Sequence, residues 1–506
     1  MPPSSKCSAW LRPRNASLGF LYIALVTLSL FISTSFAISS PRATKANDKT
    51  GNWTSLTCAD PAVLDPLDMG CAQRWSELDT DDAWKEVIRI WTQQDEGKTT
   101  FGASVMNTLH APDNETDCGL LGPRRNCNQA LPCHFFQGNS TDRGSGPAAS
   151  LIYESFVVIN EIQYSLYDII SNTALDIMTL SLPYIEGTFA PAAPPEPDAA
   201  WVPILRNMLS LGITAVSASF FNQLFGALAV RGDAGADAAK NLTYETIALT
   251  AASVFATVSG GSKKQWTPRS QSTFSATMGH VFSGWSAVIE NQLYTLFDGS
   301  EASVKLLGST LANGNLLECN NTIVVDHIDP NDQMGNFIQK VFHALAIPGL
   351  WAVSGTKAFV VNSGSPCGTI NPLTEYMTEA TQEATYSCHN GSLYYLVYPG
   401  DDRHGYFTAP PGLDSIAKGL WGNLTLSDLI AGSVNTYVAN GNTNGGPPAN
   451  MQNQQTLRDL TTQDITTPGF ITLPVCSAEV AWASWSNPSR TNSSAPNYPC
   501  NPLQGA

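Results

Sequence analysis

The stretch MLSLGITAVSASFFNQLFGALAV, Met208–Val230, runs twenty-three residues without a charge. Its reading decides what kind of molecule this is. A second apolar segment, about Tyr244 to Val258, follows a polar loop, so the two read as a helical pair. Three readings compete. A constitutive membrane span fits the length, but Ser210, Thr214, Ser217, Ser219, Asn222 and Gln223 make the run only moderately apolar. A hairpin inserted on condition would use Gly212, Ala215 and Ser219 as a small-residue packing face. A hairpin buried in a large core accounts for the same residues with no membrane, and it is the reading taken here. The connecting loop carries Arg231-Gly232-Asp233, an adhesion-type tripeptide that recurs by chance, and the sequon at Asn241, which would be hard to push through a bilayer.

Upstream, residues 190–203 are rich in proline, which removes donors and fixes φ, so the stretch is expected to be a stiff boundary without regular helix. Before it, Ile152, Phe156, Ile159, Leu166 and Ile170 keep helical spacing and predict a long helix over roughly 149–181. Glu154, Glu161 and Asp168 recur every seven residues on one face of it, and read as a solvated stripe rather than catalytic acids. Trp84, Val87, Ile88 and Trp91 predict a further amphipathic helix after the cap residues Asp79 to Asp82, with the aromatic stripe as its buried face. Downstream, 266–350 reads as largely helical, ending near Pro348. Strands follow at Lys357–Val361, Ala384–Cys388 and Leu393–Tyr398, the last two joined by an Asn390-Gly391 turn. Residues 440–455 read as loop, and the last forty as irregular chain held by Cys476 and Cys500. The expected organisation is a leader at 1–37, a Cys-rich region with amphipathic helices at 38–189, the linker and apolar hairpin at 190–265, and a helical then β-hairpin region with an irregular tail at 266–506.

The chain opens with Lys6, Arg12 and Arg14, no acid, and the nineteen-residue apolar run Leu18–Phe36 closing on Ser35-Phe36-Ala37. That is a signal peptide cut after Ala37, with an uncleaved type II anchor as the alternative; both place the rest outside the cytosol. Sequons at Asn52, Asn114, Asn139, Asn241, Asn320, Asn390, Asn423 and Asn492 fit a glycosylated surface. Ten cysteines remain after the leader: Cys58, Cys71, Cys118, Cys127 and Cys133 before the apolar pair, and Cys319, Cys367, Cys388, Cys476 and Cys500 after it. Five is odd, so complete pairing requires at least one bridge between the halves. Zinc is disfavoured because no C-x-x-C or C-x-x-H pair occurs.

Loss of the leader takes the formal charge from −16 to −19, which excludes nucleic acid and anionic membrane as partners held by simple attraction. No serine-hydrolase elbow, H-E-x-x-H, phosphate loop or dinucleotide fingerprint is present, and no cofactor is expected. Asp326-His327-Ile328-Asp329-Pro330-Asn331-Asp332 gathers oxygen ligands of the kind calcium takes, without EF-hand spacing. Asp401-Asp402-Arg403-His404 puts acid, base and cation on one loop. Both read first as solvated turns. The sequence therefore assigns no catalytic or metal-binding residue.

Pro411-Gly412-Leu413-Asp414, Trp421-Gly422, Leu424-Thr425-Leu426 and Ser433-Val434-Asn435-Thr436-Tyr437, preceded by Tyr394-Tyr395-Leu396-Val397-Tyr398-Pro399, resemble a family of secreted filamentous-fungal glycoproteins with no assigned activity. The Cys-rich start, amphipathic helix and small-residue apolar stretch are similar to the module downstream of the catalytic domain in killer-toxin-like fungal chitinases. The D-x-x-D-x-D-x-E motif of those enzymes is missing here, so the resemblance carries over neither chitinase activity nor any residue role. The expectation is an α+β protein, predominantly α-helical, disulfide-stapled, with a small antiparallel sheet in the C-terminal third. Its expected function is non-enzymatic, effector- or toxin-like contact with a wall glycan, a membrane or a protein partner, at an extracellular or cell-surface site. The alternative is a secreted hydrolase of cell-wall polysaccharide.

Overall fold

The computed structural model describes residues 52–501 apart from 65–68, 112–115, 122–126, 137–145, 192–200, 227–239, 242, 252–273, 318–332, 401–404, 452 and 488–491. The leader, the Arg231-Gly232-Asp233 loop and both acidic clusters singled out above lie outside the described residues.

Apolar spacing generates the principal helices in turn, with a side-chain cap from Ser300 at α7 but no cap bond from Asp79 at α1, where the sequence led one to expect it: α1 (Thr80–Ile90), α2 (Gly146–Asp176), α3 (Leu182–Phe189), α4 (Trp201–Asn207), α5 (Ile213–Gly226), α6 (Phe274–Leu296), α7 (Glu301–Leu311) and α8 (Gly335–Val353). A π-turn, Ile177–Ser181, joins α2 to α3, and another, Met208–Gly212, joins α4 to α5. The long helix expected over 149–181 therefore starts three residues earlier and continues with a change of pitch to Phe189. Pro203 sits within the first turn of α4, where its missing N–H would have had no intrahelical partner. That is why regular helix begins at Trp201, inside the stretch expected to exclude it.

The apolar run is core. Helix Ile204–Phe225 is long enough to cross a bilayer, yet 72 % of its most apolar stretch is buried inside the protein. Leu211, Ile213, Val216, Phe220 and Phe221 are enclosed, each burial stabilising the fold by about 1.5–3 kcal/mol. Gly212 belongs to the small-residue face expected from the sequence, and its partner is the ring of Trp285 on α6, which occupies the space a Cβ would need. The second apolar segment is helical over the described residues 243–251 and is tied in by polar contacts. Thr250 donates to Gln292 Oε1 (3.0 Å), and Gln292 Nε2 donates back to the Thr246 carbonyl (3.3 Å).

Helix α8 does not end near Pro348 as expected; it continues to Val353 with the proline inside. Proline deprives the Ala344 carbonyl of its usual i→i−4 donor, but burial of Ile347, Leu350 and Trp351 on the same helix outweighs that loss.

After α8 come β1 (Phe359–Pro366), β2 (Tyr386–His389), β3 (Ser392–Val397), α9 (Leu426–Ala439), α10 (Gln454–Gln463), β4 (Val475–Ser477) and α11 (Ala478–Ser486). The sheet order is β2-β3-β1-β4. The hairpin turns at Asn390-Gly391, where both residues have positive φ (48° and 80°), the conformation that pair favours. β1 pairs antiparallel with β3, Val360 opposite Leu396, but β4 joins β1 in parallel, Val360 opposite Val475, so the sheet is mixed. Its alternating residues feed two cores. Val360, Tyr394 and Leu396 face the helical body; Phe359, Val361, Tyr395 and Val397 face a smaller core closed by Phe407, Ala481 and Trp485. The outward backbone groups of Val475 on edge strand β4 are both taken by the Asn444 side chain, which donates to its carbonyl (2.9 Å) and accepts from its N–H (2.8 Å).

The tail is less irregular than its composition implies. Ser477 accepts from the Val480 N–H as N-cap, and Ala478, Ala481 and Trp485 bury one face of α11. The fold is thus α+β and predominantly helical, with its small sheet in the C-terminal third. Four disulfides, Cys58–Cys133, Cys118–Cys127, Cys367–Cys388 and Cys476–Cys500, each join cysteines of the same half. Cys71 is also disulfide-bonded, and its Sγ lies 3.2 Å from the Leu317 carbonyl oxygen; Cys319 lies outside the described residues.

Candidate functional site

A cleft of about 400 Å³ opens where four stretches remote in sequence converge: residues 204–207 of α4, the C-terminal half of α8 and the chain after it, 470–474 before β4, and 494–498 near the C-terminus. Its volume falls in the range that holds small ligands. Trp351 and Pro348 form part of its apolar wall, and Ala344, whose carbonyl lacks its usual helical donor, lies alongside. The polar side chains are those of Asn207, Thr356, Lys357, Thr472, Ser494, Asn497 and Tyr498. The side chains of Asn207, Lys357 and Asn497 make no hydrogen bond to another described residue. No carboxylate is among the described lining residues, and Lys357 is the one ionised group there. The arrangement suits a neutral ligand bearing amides and hydroxyls, and offers no pair of acids for general acid–base work.

One pair of carboxylates that does approach each other among the described residues lies away from the cleft. Lys340 Nζ on α8 is 3.1 Å from Asp428 Oδ1 and 3.6 Å from Asp464 Oδ2. Asp428 is already committed as the partner of Thr425 in the capping box that starts α9. Burial raises the Asp464 carboxyl above its ordinary value, Lys340 opposes the rise, and Asp428 adds to it. These groups clamp α8, α9 and the end of α10 together rather than face the cleft.

His343 on α8 is fully buried against Phe342 and Trp421, and burial drives its pKa down to about 3. Neither ring nitrogen closes a hydrogen bond of good geometry, although backbone groups of Gln339 and Trp421 lie near enough to favour its charged form slightly. It is a neutral packing residue. The surrounding block singled out for its resemblance also packs. Trp421 donates to Ser415 Oγ (2.8 Å), Trp351 donates to the Pro411 carbonyl (3.1 Å), and Gly422, at φ 66°, presses its backbone onto α8 at Gln339 and Lys340, where a side chain would not fit.

The other sequence candidates separate in the same way. Trp84 meets Phe101 and Phe156 edge-on, and Trp91 donates to the Gly299 carbonyl (2.8 Å), so that stripe is the buried face expected. The acidic stripe on α2 is only partly solvated: Asp168 is exposed, Glu161 half-buried, and half-buried Glu154 supplies the charge that opposes the burial-lowered pKa of Arg74. Among the sequons, Asn241, Asn390, Asn423 and Asn492 are exposed and Asn52 opens a short 3-10 turn; Asn114, Asn139 and Asn320 lie outside the described residues. No group of three or more metal-ligating side chains occurs among the described residues. Sequence reasoning missed Asn207, Lys357, Asn497 and Tyr498 altogether. They share no motif, and only the fold brings them together.

No protein-family model matches the chain, and no solved structure does either. Two curated proteins of Penicillium expansum are similar over nearly its whole length. One, named probable chitinase LysM18, is 48 % identical over 490 residues, which cover 90 % of this chain and 34 % of the relative. The other, named secreted chitinase LysM12, is 29 % identical over 504 residues, 90 % of this chain and 33 % of the relative. The chain thus spans about a third of the length of the chitinase-named proteins it matches.

Proposed function

We propose that this chain is a secreted, fungal, cell-wall-directed unit of the chitinase-like proteins it resembles, and that it holds the acetamido-sugar polymer of the wall in the cleft instead of cutting it. Extracellular location is supported by the name of one relative, a secreted chitinase, and by the leader read from the sequence. The observation that carries the reading is the cleft lining. Amides, hydroxyls, one lysine and apolar walls match the amide and hydroxyl groups of such a sugar, while the paired carboxylates a glycosidase needs are missing from the described lining. The burial of most of Ile204–Phe225 supports reading that run as core rather than as a membrane-inserting device.

The second reading is hydrolysis by the chain itself, favoured by the names of both relatives. One experiment separates the two: washed insoluble chitin is mixed with the purified glycosylated chain, and both depletion of protein from solution and release of soluble reducing ends are followed. Retention without release, weakened about tenfold or more by combining Asn207→Ala with Lys357→Ala, is the expected result. Release of reducing ends by the chain would replace this reading with the hydrolase. Retention unaffected by those substitutions would remove the cleft from the argument.

A further inference from the structure

Four side chains that do not line the cleft meet at the rim of the smaller core. Trp482 on α11 stands edge-on to Tyr376 (ring centroids 5.8 Å), Phe407 (5.7 Å) and Trp485 (5.2 Å). Phe407 and Trp485 are buried, whereas Tyr376 and Trp482 keep part of their rings in solvent. Glu479 lies three residues before Trp482 and so on the same side of the helix, and Glu375 adjoins Tyr376; both acids are exposed. Burial raises the Tyr376 phenol above its ordinary value, and the charges of Glu375 and then Glu479 push the same way, so all three groups share one neighbourhood.

The rim also keeps hydrogen-bonding groups that close no bond among the described residues, and it keeps them partly exposed. The indoles of Trp75, Trp91, Trp285, Trp351 and Trp421 each donate to a group inside the protein. The indole N–H of Trp482, the phenol of Tyr376 and the carboxylates of Glu375 and Glu479 have no hydrogen-bond partner among the described residues. Two donors and two strong acceptors are therefore ranged around an aromatic ledge. That combination complements a pyranose ring, whose C–H face packs on aromatic carbon while its hydroxyls both give and take hydrogen bonds.

We infer that the Tyr376–Trp482 rim, with Glu375 and Glu479, is a second carbohydrate-binding surface that takes neutral, hydroxyl-rich polysaccharide chains. The two carboxylates accept from ring hydroxyls, and the indole and phenol donate. The same carboxylates repel anionic polymers, a bias the strongly acidic chain reinforces. The rim uses none of the cleft residues, so it stands or falls separately from the reading above.

The test uses the full glycosylated chain and two washed insoluble probes, chitin and β-glucan, with a polygalacturonate gel as the anionic comparison. Trp482→Phe keeps an aromatic face but reduces its area and removes the N–H; Tyr376→Phe with Glu479→Gln removes a donor and a charge with little change of volume. Each is checked for an unchanged urea unfolding curve. The expected result is retention on at least one neutral probe that weakens about 3–10-fold in each variant. Asn207→Ala with Lys357→Ala should leave the relative effect of the rim substitutions as it was. Retention of the rim variants equal to that of the parent would overturn the inference even if the cleft variant loses binding. Retention of the parent on neither neutral probe, or equal retention on polygalacturonate, would overturn it as well.

Discussion

The indole N–H of Trp285 donates to the Met208 carbonyl oxygen across 3.0 Å, from one helix of the core into the π-turn of another. A π-turn re-aims the carbonyls of its helix, and this one finds its partner in a side chain that is itself wholly buried. Four residues along, Gly212 provides the gap in which the same ring lies. The longest apolar run described in the protein is thus keyed to one tryptophan by a hydrogen bond and a missing side chain.

Gly212→Ala is expected to destabilise the fold. A methyl group there overlaps the Trp285 ring, and overpacking of this kind costs about 1–3 kcal/mol. The better helix propensity of alanine returns only about 1 kcal/mol. Urea unfolding should show a lower midpoint with an unchanged slope; an equal or higher midpoint would contradict the packing described.

Acid sensitivity should trace in part to His343. Its folded pKa of about 3 lies below the unfolded value of about 6.5, so the unfolded chain binds the proton first. The stability it contributes is present above about pH 6.5 and is lost as pH falls toward the folded value, amounting to about 3 kcal/mol at about pH 4. His343→Phe, of similar shape in an apolar site, should flatten that slope when unfolding is measured from pH 7 to pH 4. Parallel pH profiles for parent and variant would show that His343 does not set it.

Asn160 is buried on α2, and its Nδ2 donates to both the Cys118 and Leu120 carbonyls at 2.9 Å. It anchors the start of the small disulfide loop Cys118–Cys127 to the central helix. Asn160→Leu strands one buried and one part-buried acceptor and should cost about 2–4 kcal/mol in thermal or chemical unfolding. A loss within about 0.5 kcal/mol would mean those carbonyls find water instead.

The bridge between the halves is expected to be Cys71–Cys319. The other eight cysteines from Cys58 onward pair within their own halves, and Cys71 is bonded and lies against Leu317. Proteolysis without reduction, followed by mass spectrometry, should yield one peptide pair joining those two positions. Recovery of Cys71 alkylated without prior reduction would refute it.

Much of this was legible in the sequence, and the rest was not for definite reasons. The hairpin at Asn390-Gly391 could be read because two adjacent residues encode the turn. The long helix could be read because its apolar spacing repeats over many turns. Helix α8 was cut short on paper at Pro348 because local propensity knows nothing of the burial of Leu350 and Trp351 beyond it. Helix α11 hid in a Ser-, Pro- and Asn-rich tail, although Ser477 ahead of Ala478, Ala481 and Trp485 was a cap and stripe available to be found. The parallel strand β4 is three residues long, and so short a strand leaves no periodicity to detect. The cleft draws on four stretches between residues 204 and 498, and proximity created by folding has no counterpart in local pattern.

Asn444 carries a consequence beyond the fold. An exposed sheet margin is where an extended chain from a neighbouring molecule can add itself, and such addition, repeated, seeds fibrils. With one carboxamide occupying both outward groups of Val475, the first rung of that margin is closed to copying. Where copies are crowded side by side at a surface, Val475 of one molecule is thereby kept from starting a ladder with the next.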